Sequence, residues 1–456
     1  MSEIRQLDQL RTAIPDAAVI TEPDVMAAYS RDETPAVTPG QPRCVVLART
    51  TQHVSAALSW AKQHRVPVVP RGAGTSLAGG ATATDGCLVL STARMTAIRE
   101  LDPVNEITVA EAGVLTADLD RAAAGHGLMY APDPSSSEIS TIGGNLATNA
   151  GGLRCVKYGV TRDSVLGLEV VLADGQILHT GRRTVKGVTG YDLTGLFVGS
   201  EGTLGVITSA TLRLRKRPDR YPRTVAASFA SFGAAAGAVS AILAARLRPS
   251  MLELMDAATL RAIDDWKNTG FGGMQALLIA QDDGDEADRG AAAMLEICQR
   301  EGAEIAQVSA SDAESRQLLE LRRLSYPALE RLGVTLTEDV CVPRSALPDM
   351  VGRIERAAQR HGVFIATVAH AGDGNLHPLF VFDRGLPDVP PDVWSAADEI
   401  FRGALELGGT LTGEHGVGII KRRWLATEIG PVSMAVHHAI KDALDPAGIM
   451  NPGKVL

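Results

Sequence analysis

The chain has 456 residues, 45% of them hydrophobic and 21% charged, with 46 glycines. That composition is ordinary for a folded globular protein and excludes a collagen-like or disordered chain. Single hydrophobic cores stop growing at about 250–300 residues, so two or three domains are expected. The formal net charge of -9, with no long basic run, excludes the electrostatic footprint of a nucleic-acid binder.

Five scattered cysteines, Cys44, Cys87, Cys155, Cys298 and Cys341, form no C-x-x-C pair and are odd in number, which reads as a reduced cytoplasmic protein. The opening MSEIRQLDQLR carries charges where a secretion signal needs an apolar stretch. Between Arg223 and Arg246 runs an uncharged stretch built from Ala, Gly and Ser. It is too weakly apolar for a membrane span and reads instead as a strand, TVAASF, followed by a packed Ala-rich helix. No transmembrane segment is expected, and any membrane contact would be peripheral.

Taken in chain order, CVVLA, PVVP, CLVLS, EITVAEAGV and LGLEVVLADG are apolar, β-rich runs between glycine-rich turns. A helical pattern, TTQHVSAALSWAKQHRV, lies between the first two. The sequence thus predicts an α+β or α/β cofactor domain over residues 1–217. After the basic run Arg213 to Arg217, which reads as solvated surface, longer Ala- and Leu-rich helical patterns interleave with strands such as ALLIAQ and FIATVAH. They predict a second domain over 218–410. A final segment, 411–456, ends in a helix stopped at Asp445-Pro446 and a turn-rich tail expected to dock on the first domain.

Within the first domain, Arg71-Gly72-Ala73-Gly74-Thr75-Ser76 follows a predicted strand and continues to Gly79-Gly80. Its glycines let backbone N–H groups approach a pyrophosphate. Leu77 departs from the Rossmann fingerprint and Gly79-Gly80-Ala81 from the Walker A loop, and such a loop on its own is also an ordinary turn. A second cluster runs from Pro132-Asp133-Pro134-Ser135-Ser136 into Thr141 to Gly152. Its small residues suit a backbone lying flat against a large planar ligand, with Asn145, Thr148 and Asn149 offering polar atoms. A third piece, Gly199-Ser200-Glu201-Gly202-Thr203-Leu204-Gly205-Val206-Ile207-Thr208, continues the theme.

These three pieces, in this order, resemble the FAD-binding domain of the vanillyl-alcohol oxidase family. From about Pro42 to the C-terminus the chain looks like the branch holding D-lactate dehydrogenases, D-2-hydroxyglutarate dehydrogenases and the flavin subunit of glycolate oxidase. The resemblance implies an α+β protein with a vanillyl-alcohol-oxidase-type FAD domain and a C-terminal α+β cap domain for substrate. By it, Arg71 to Ser76 would hold the FAD pyrophosphate. Pro132, Asp133 and Ser136, with Gly143, Asn145, Thr148, Asn149 and Gly152, would line the isoalloxazine and ribityl chain. Ile207, in the Glu201 to Thr208 motif, would sit by the adenine end, with Asn451 and Lys421 as lesser candidates near the flavin or cap. Relatives that attach flavin covalently place a histidine in the first loop where this chain has Thr75, so the FAD is expected to be noncovalent.

In the second domain, FIATVAH-Ala371-Gly372-Asp373-Gly374-NLHPLF reads as a hairpin around Asp-Gly. With Asp373-Gly374 as a two-residue turn, His370 pairs with His377 and both imidazoles point to one face. Such a pair can share a metal ion, although two solvent-facing histidines would give the same pattern. Gly413-Glu414-His415-Gly416 adds a carboxylate and another imidazole, and two histidines with one glutamate leave coordination positions open for substrate. The resemblance makes His370, His377 and Glu414 ligands, with zinc or manganese favoured, and His415 the general base. It also makes Arg322 the grip on a substrate carboxylate, with Arg323 as its rival.

The expected chemistry is oxidation of a small D-2-hydroxy acid, the hydride passing to flavin. No nicotinamide motif is present, so a quinone, a cytochrome or an electron-transfer flavoprotein is expected as acceptor. A homodimer is compatible with the sequence. Thr337 stands where 2-hydroxyglutarate dehydrogenases carry a lysine and Leu379 where they carry an asparagine, while Glu338 to Pro343 looks more like the D-lactate dehydrogenase and glycolate oxidase branch. A short, D-lactate-like substrate follows, with a glycolate oxidase-type subunit or a D-2-hydroxyglutarate dehydrogenase as alternatives. A metal-dependent hydrolase could use the same ligand set, and an electron-transfer subunit could hold FAD without turnover of its own.

Overall fold

The computed structural model describes residues 3–456. The chain divides into two compact units, one built from residues up to 151 with 160–217 and 414–456, the other from 152–159 and 218–413.

The first unit carries two sheets. β1 (Ala18–Ile20), β2 (Cys44–Leu47), β3 (Val68–Arg71) and β4 (Leu88–Ser91) form a four-stranded sheet in the order β1-β2-β4-β3. Here the crossover β2 to β3 runs through the helix Thr51–His64, and β2, β4 and β3 are parallel. That helix starts because the Thr50 side chain accepts the His53 N–H and stops with Arg65 in a left-handed conformation. Its Val54, Ala57, Leu58 and Ala61 are buried, the i, i+3, i+4, i+7 face of an amphipathic helix. The C-terminal tail extends the sheet: Val68 N–H donates to Ile449 O (2.8 Å) and Asn451 N–H donates to Val68 O (2.8 Å).

β5 (Ile98–Asp102), β6 (Ile107–Glu111), β8 (Val165–Val171), β9 (Ile177–Gly181) and β10 (Val206–Arg213) make the second sheet, ordered β5-β6-β10-β8-β9 and antiparallel throughout. β7 (Leu128–Met129) and β11 (Arg215–Lys216) form a separate ribbon. Residues Ile142 to Thr148 were expected to lie flat, yet they form a short helix whose Ile142 and Leu146 sit in the same core cluster as Leu168, Val170 and Phe197. Thr141 drives this, its hydroxyl capping the Gly144 N–H, and Asn149 ends it in a left-handed conformation.

The second unit is built on one antiparallel sheet. It comprises β12 (Arg223–Phe229), β13 (Met251–Asp256), β14 (Ala276–Asp282), β15 (Ile305–Val308), β16 (Val334–Thr337), β17 (Val340–Cys341), β18 (Ile365–His370) and β19 (Asn375–Phe382). The order is β15-β12-β14-β13-β18-β19-β16, with β17 also pairing β19. On one face Met251, Met255, Val368 and Leu379 pack with Leu318 and Leu321 of the helix Asp312–Arg323. Since side chains alternate along a strand, Glu253, His370 and His377 share that face. Among the described residues no helix is long and apolar enough to cross a membrane.

The hairpin β18–β19 has a different register from the two-residue turn expected. His370 opposes Asn375, Ala369 opposes Leu376, and His377 opposes Val368, so four residues, Ala371 to Asp373 and Gly374, form the loop. A side chain on Gly372 would collide with Val156, and one on Gly374, whose φ is +81°, would come within 2.1 Å of Val342 O. Both glycines thus sit where close neighbours leave no room for a side chain. The shift is by a whole pair, so His370 and His377 still share a face, as diagonal neighbours instead of opposed ones.

Candidate functional site

In the second unit the two histidines are buried, and their ring centroids lie 5.0 Å apart with planes at 83°. Glu253, directly across from His370 in the β13–β18 register, is fully buried. One of its oxygens, Oε1, lies 2.8 Å from His370 Nδ1, and the other, Oε2, accepts the Arg322 Nε–H at 2.8 Å. A buried carboxylate is costly unless paired and hydrogen-bonded, and here both oxygens are engaged. With Nδ1 turned toward Glu253, Nε2 is the His370 nitrogen on the side of the ring away from that carboxylate. Metal-bound histidines commonly show this arrangement.

Arg322 and Arg323, rivals on sequence, are separated by the fold. Arg322 is buried at the end of its helix, whereas the Arg323 side chain is 59% exposed and nearest Glu320. The Nε bond to Glu253 fixes the guanidinium plane, and its two terminal nitrogens carry four further N–H donors for a carboxylate. Thr337 and Leu379 are buried and directly opposed in the β16–β19 pairing. Leu379 lies in the apolar cluster with Leu318 and Leu321.

Asp339 performs a task that sequence reasoning missed. Its carboxylate accepts the Thr412 hydroxyl (2.9 Å) and the Gly413 N–H (2.7 Å), and a side chain on Gly413 would come within 2.4 Å of Asn375 Oδ1. The chain is therefore pinned beside the start of β19, one covalent link before Glu414.

In the first unit, Glu414 and His415 open a tight bend, with His415 Nε2 3.9 Å from Glu414 Oε1. The Glu414 carboxylate presses on Gly151, where an added Cβ would come within 2.3 Å of Oε2. Glu201 braces the bend from beyond: Oε1 accepts the Val417 N–H (2.8 Å) and Oε2 the Gly418 N–H (2.9 Å). Burial pushes the Glu201 carboxyl up to about 7, while those two donors and the charge of Lys421 pull it down. A raised acid contributes stability that is present below its ordinary value, near 4.5, and lost as pH rises through about 7. Relative to Glu201→Gln, the wild-type protein is therefore expected to lose melting temperature between those two pH values, and parallel melting curves would refute the placement.

The residues expected at a cofactor are partly committed to the protein itself. Arg71 is buried and its Nη1 donates to Arg31 O. The chain then turns through Gly72, Ala73, Gly74, Thr75 and Ser76, where φ of Gly74 is +84°. Asn145 Nδ2 donates to Thr116, the Thr148 hydroxyl donates to Gly144 O, and Asn149 Oδ1 accepts the Arg162 N–H. Asn451 Nδ2 donates to both Gly80 O (2.9 Å) and Glu201 O (2.7 Å), tying the first loop, the third glycine segment and the tail together. Gly143 abuts Ala112, Ile207 is buried in the core, and Pro132 is buried with Asp133 and Ser136 partly so. Gly152 starts the stretch that belongs to the second unit. These side chains shape backbone more than they present polar atoms.

Lys454 is the residue that motif reading left unused. It is 2% exposed, its ammonium has no hydrogen-bond partner, and burial lowers it to about 8 against the pull of Cys87 and Asp32. Asp32 in turn accepts the Ala81 N–H and the Thr82 hydroxyl, which places this orphaned cation in the surroundings of the glycine loop. A buried lysine in the NPGK tail was the available signal.

Two family profiles match: "FAD binding domain" over residues 42–181 and "FAD linked oxidases, C-terminal domain" over residues 219–455. The glycolate oxidase subunit GlcD of Bacillus subtilis is 44% identical over 94% of this chain and 91% of its own length. GlcD of Escherichia coli strain K12 is 36% identical over 98% and 89%, and a D-lactate dehydrogenase of Archaeoglobus fulgidus is 37% identical over 94% and 95%. Among solved structures, p-cresol methylhydroxylase with substrate bound superposes with a TM-score of 0.82 at 19% identity, covering 99% of this chain and 96% of that one. The last likeness concerns the fold alone.

Proposed function

The chain belongs to the FAD-linked oxidase family, and from that premise we propose that it oxidises a small D-2-hydroxy acid of the D-lactate or glycolate type to the 2-oxo acid. We assign His370, His377 and Glu414 to a divalent metal ion, zinc or manganese, and His415 to the role of general base.

The observation that carries the metal assignment is the pair of buried imidazoles with His370 Nδ1 already engaged by buried Glu253. Glu414, assigned as the third ligand, directly follows the Gly413 that Asp339 pins. Two imidazoles and a carboxylate suit zinc, manganese or iron and leave positions for substrate. For FAD, the fit rests on the orphaned Lys454 ammonium, which a pyrophosphate would compensate, and on the glycine loop with its left-handed Gly74 and Gly79. FAD, held at the glycine loop and Lys454, would supply a hydride acceptor, and a metal held by the proposed ligands would supply a Lewis acid for the substrate hydroxyl.

The rest is done by side chains of this chain. Arg322, held by Glu253 through Nε, directs its terminal nitrogens to the substrate carboxylate. His415 accepts the hydroxyl proton. Leu379 and Thr337 bound the space for the substituent on the α-carbon. Electrons then leave to a separate acceptor, a quinone, a cytochrome or an electron-transfer flavoprotein.

Chelation tests the assignment. Removing the metal is expected to abolish bleaching of the flavin by D-lactate under anaerobic conditions while the protein stays yellow, and His377→Ala should behave alike. Full bleaching by metal-free protein would remove the role given to the histidines. Because Thr75 cannot form a histidyl bond, acid precipitation is expected to leave the yellow colour in the supernatant, and colour retained in the pellet would contradict noncovalent attachment.

A further inference from the structure

We propose that Glu253 is a positioning residue that couples the metal centre to the substrate-binding arginine, a role that rests on the metal reading above. Three observations in one unit support it. Glu253 is fully buried in the strand Met-Leu-Glu-Leu-Met, where a charge is tolerated only with partners. Its two oxygens are divided between His370 Nδ1 and Arg322 Nε, each at 2.8 Å. It opposes His370 directly in the sheet, so neither partner can leave without breaking a strand pair or exposing a buried charge.

The consequence is chemical. With Oε2 accepting from Arg322, Oε1 is the acceptor facing His370 Nδ1, so a neutral His370 that donates from Nδ1 presents its lone pair on Nε2. The same carboxylate orients the guanidinium by its Nε–H. One side chain thereby sets both the ligand that holds the ion and the cation that holds the acid. Their separation does not depend on the substrate.

Metal titration of FAD-loaded protein with Zn²⁺ against a chromophoric chelator tests this, with FAD content and melting temperature as controls. Glu253→Gln can present its amide N–H₂ to His370 or to Arg322 and so loses the fixed tautomer; its Zn²⁺ affinity is expected to fall by about 10–100-fold, the usual effect of removing such a partner, with a raised KM for D-lactate. Should the lone cation of Arg322 unfold that variant, Glu253→Gln/Arg322→Gln removes both buried charges and is expected to show the same loss of Zn²⁺ affinity. Wild-type affinity in either folded variant overturns the coupling role. Wild-type protein that binds no Zn²⁺ or Mn²⁺ at all overturns the metal reading and the coupling with it, so the two failures are distinguishable.

Discussion

Replacing His415 with alanine is expected to lower turnover by about 10²–10⁴-fold, the usual contribution of a positioned acid–base group, while FAD and metal content stay near the wild-type level. The bend that carries it explains why the effect should be confined to chemistry. Glu201 holds the two N–H groups at Val417 and Gly418, and Glu414 packs on Gly151, none of which involves the imidazole. Metal analysis alongside stopped-flow flavin reduction checks the assignment. A variant that has lost its metal would make His415 a ligand, and one that reduces flavin at the wild-type rate would remove it from the mechanism.

The second large effect concerns substrate choice. D-Lactate is expected to be preferred over D-2-hydroxyglutarate by roughly 10²-fold or more in kcat/KM, since a charged group left with unmade hydrogen bonds costs a few kcal/mol. The structure adds a reason to the sequence departure: Thr337 and Leu379 face each other across two strands, and Leu379 is 2% exposed among Leu318 and Leu321. Arg323, the neighbouring cation, is 59% exposed and lies near Glu320. Comparing D-lactate, glycolate and D-2-hydroxyglutarate with one acceptor decides it. A clear preference for the diacid would overturn the substrate assignment and leave the flavin and metal assignments standing.

Apolar runs such as CVVLA and CLVLS were legible as strands because β2 and β4 are buried along their whole length, where hydrophobicity alone specifies the element. The helix from Thr51 was equally legible from its period. Register was not. The Asp-Gly signal fixed the position of the β18–β19 turn but not its length, and the loop glycines pack against Val156 and Val342, which are distant in sequence. The shared face of His370 and His377 survived only because the shift was a whole strand pair.

Glu253 shows the same limit from the other side. A single acid inside Met-Leu-Glu-Leu-Met was visible, and a buried charge demands a partner, yet its partners lie 69 and 117 residues away. Nothing local names them. The glycine segment after Thr141 misled differently: its small residues permit a tight helix against Ala112 as readily as an extended run, and the capping hydroxyl of Thr141 decided between them.

The interleaving of the two units along the chain has a consequence for synthesis. β3 is completed by Ile449 and Asn451, and Lys441 donates to Thr203 O and Met450 O, so the first unit closes only once residues 441–451 have been made. The second unit needs only 152–159 and 218–413, all of which emerge earlier. Nascent chains are thus expected to hold a finished sheet of eight strands while the dinucleotide-binding half still waits open, its early strands exposed to wrong partners. Loading of FAD is then expected to wait for residues 441–451 to dock on the first unit.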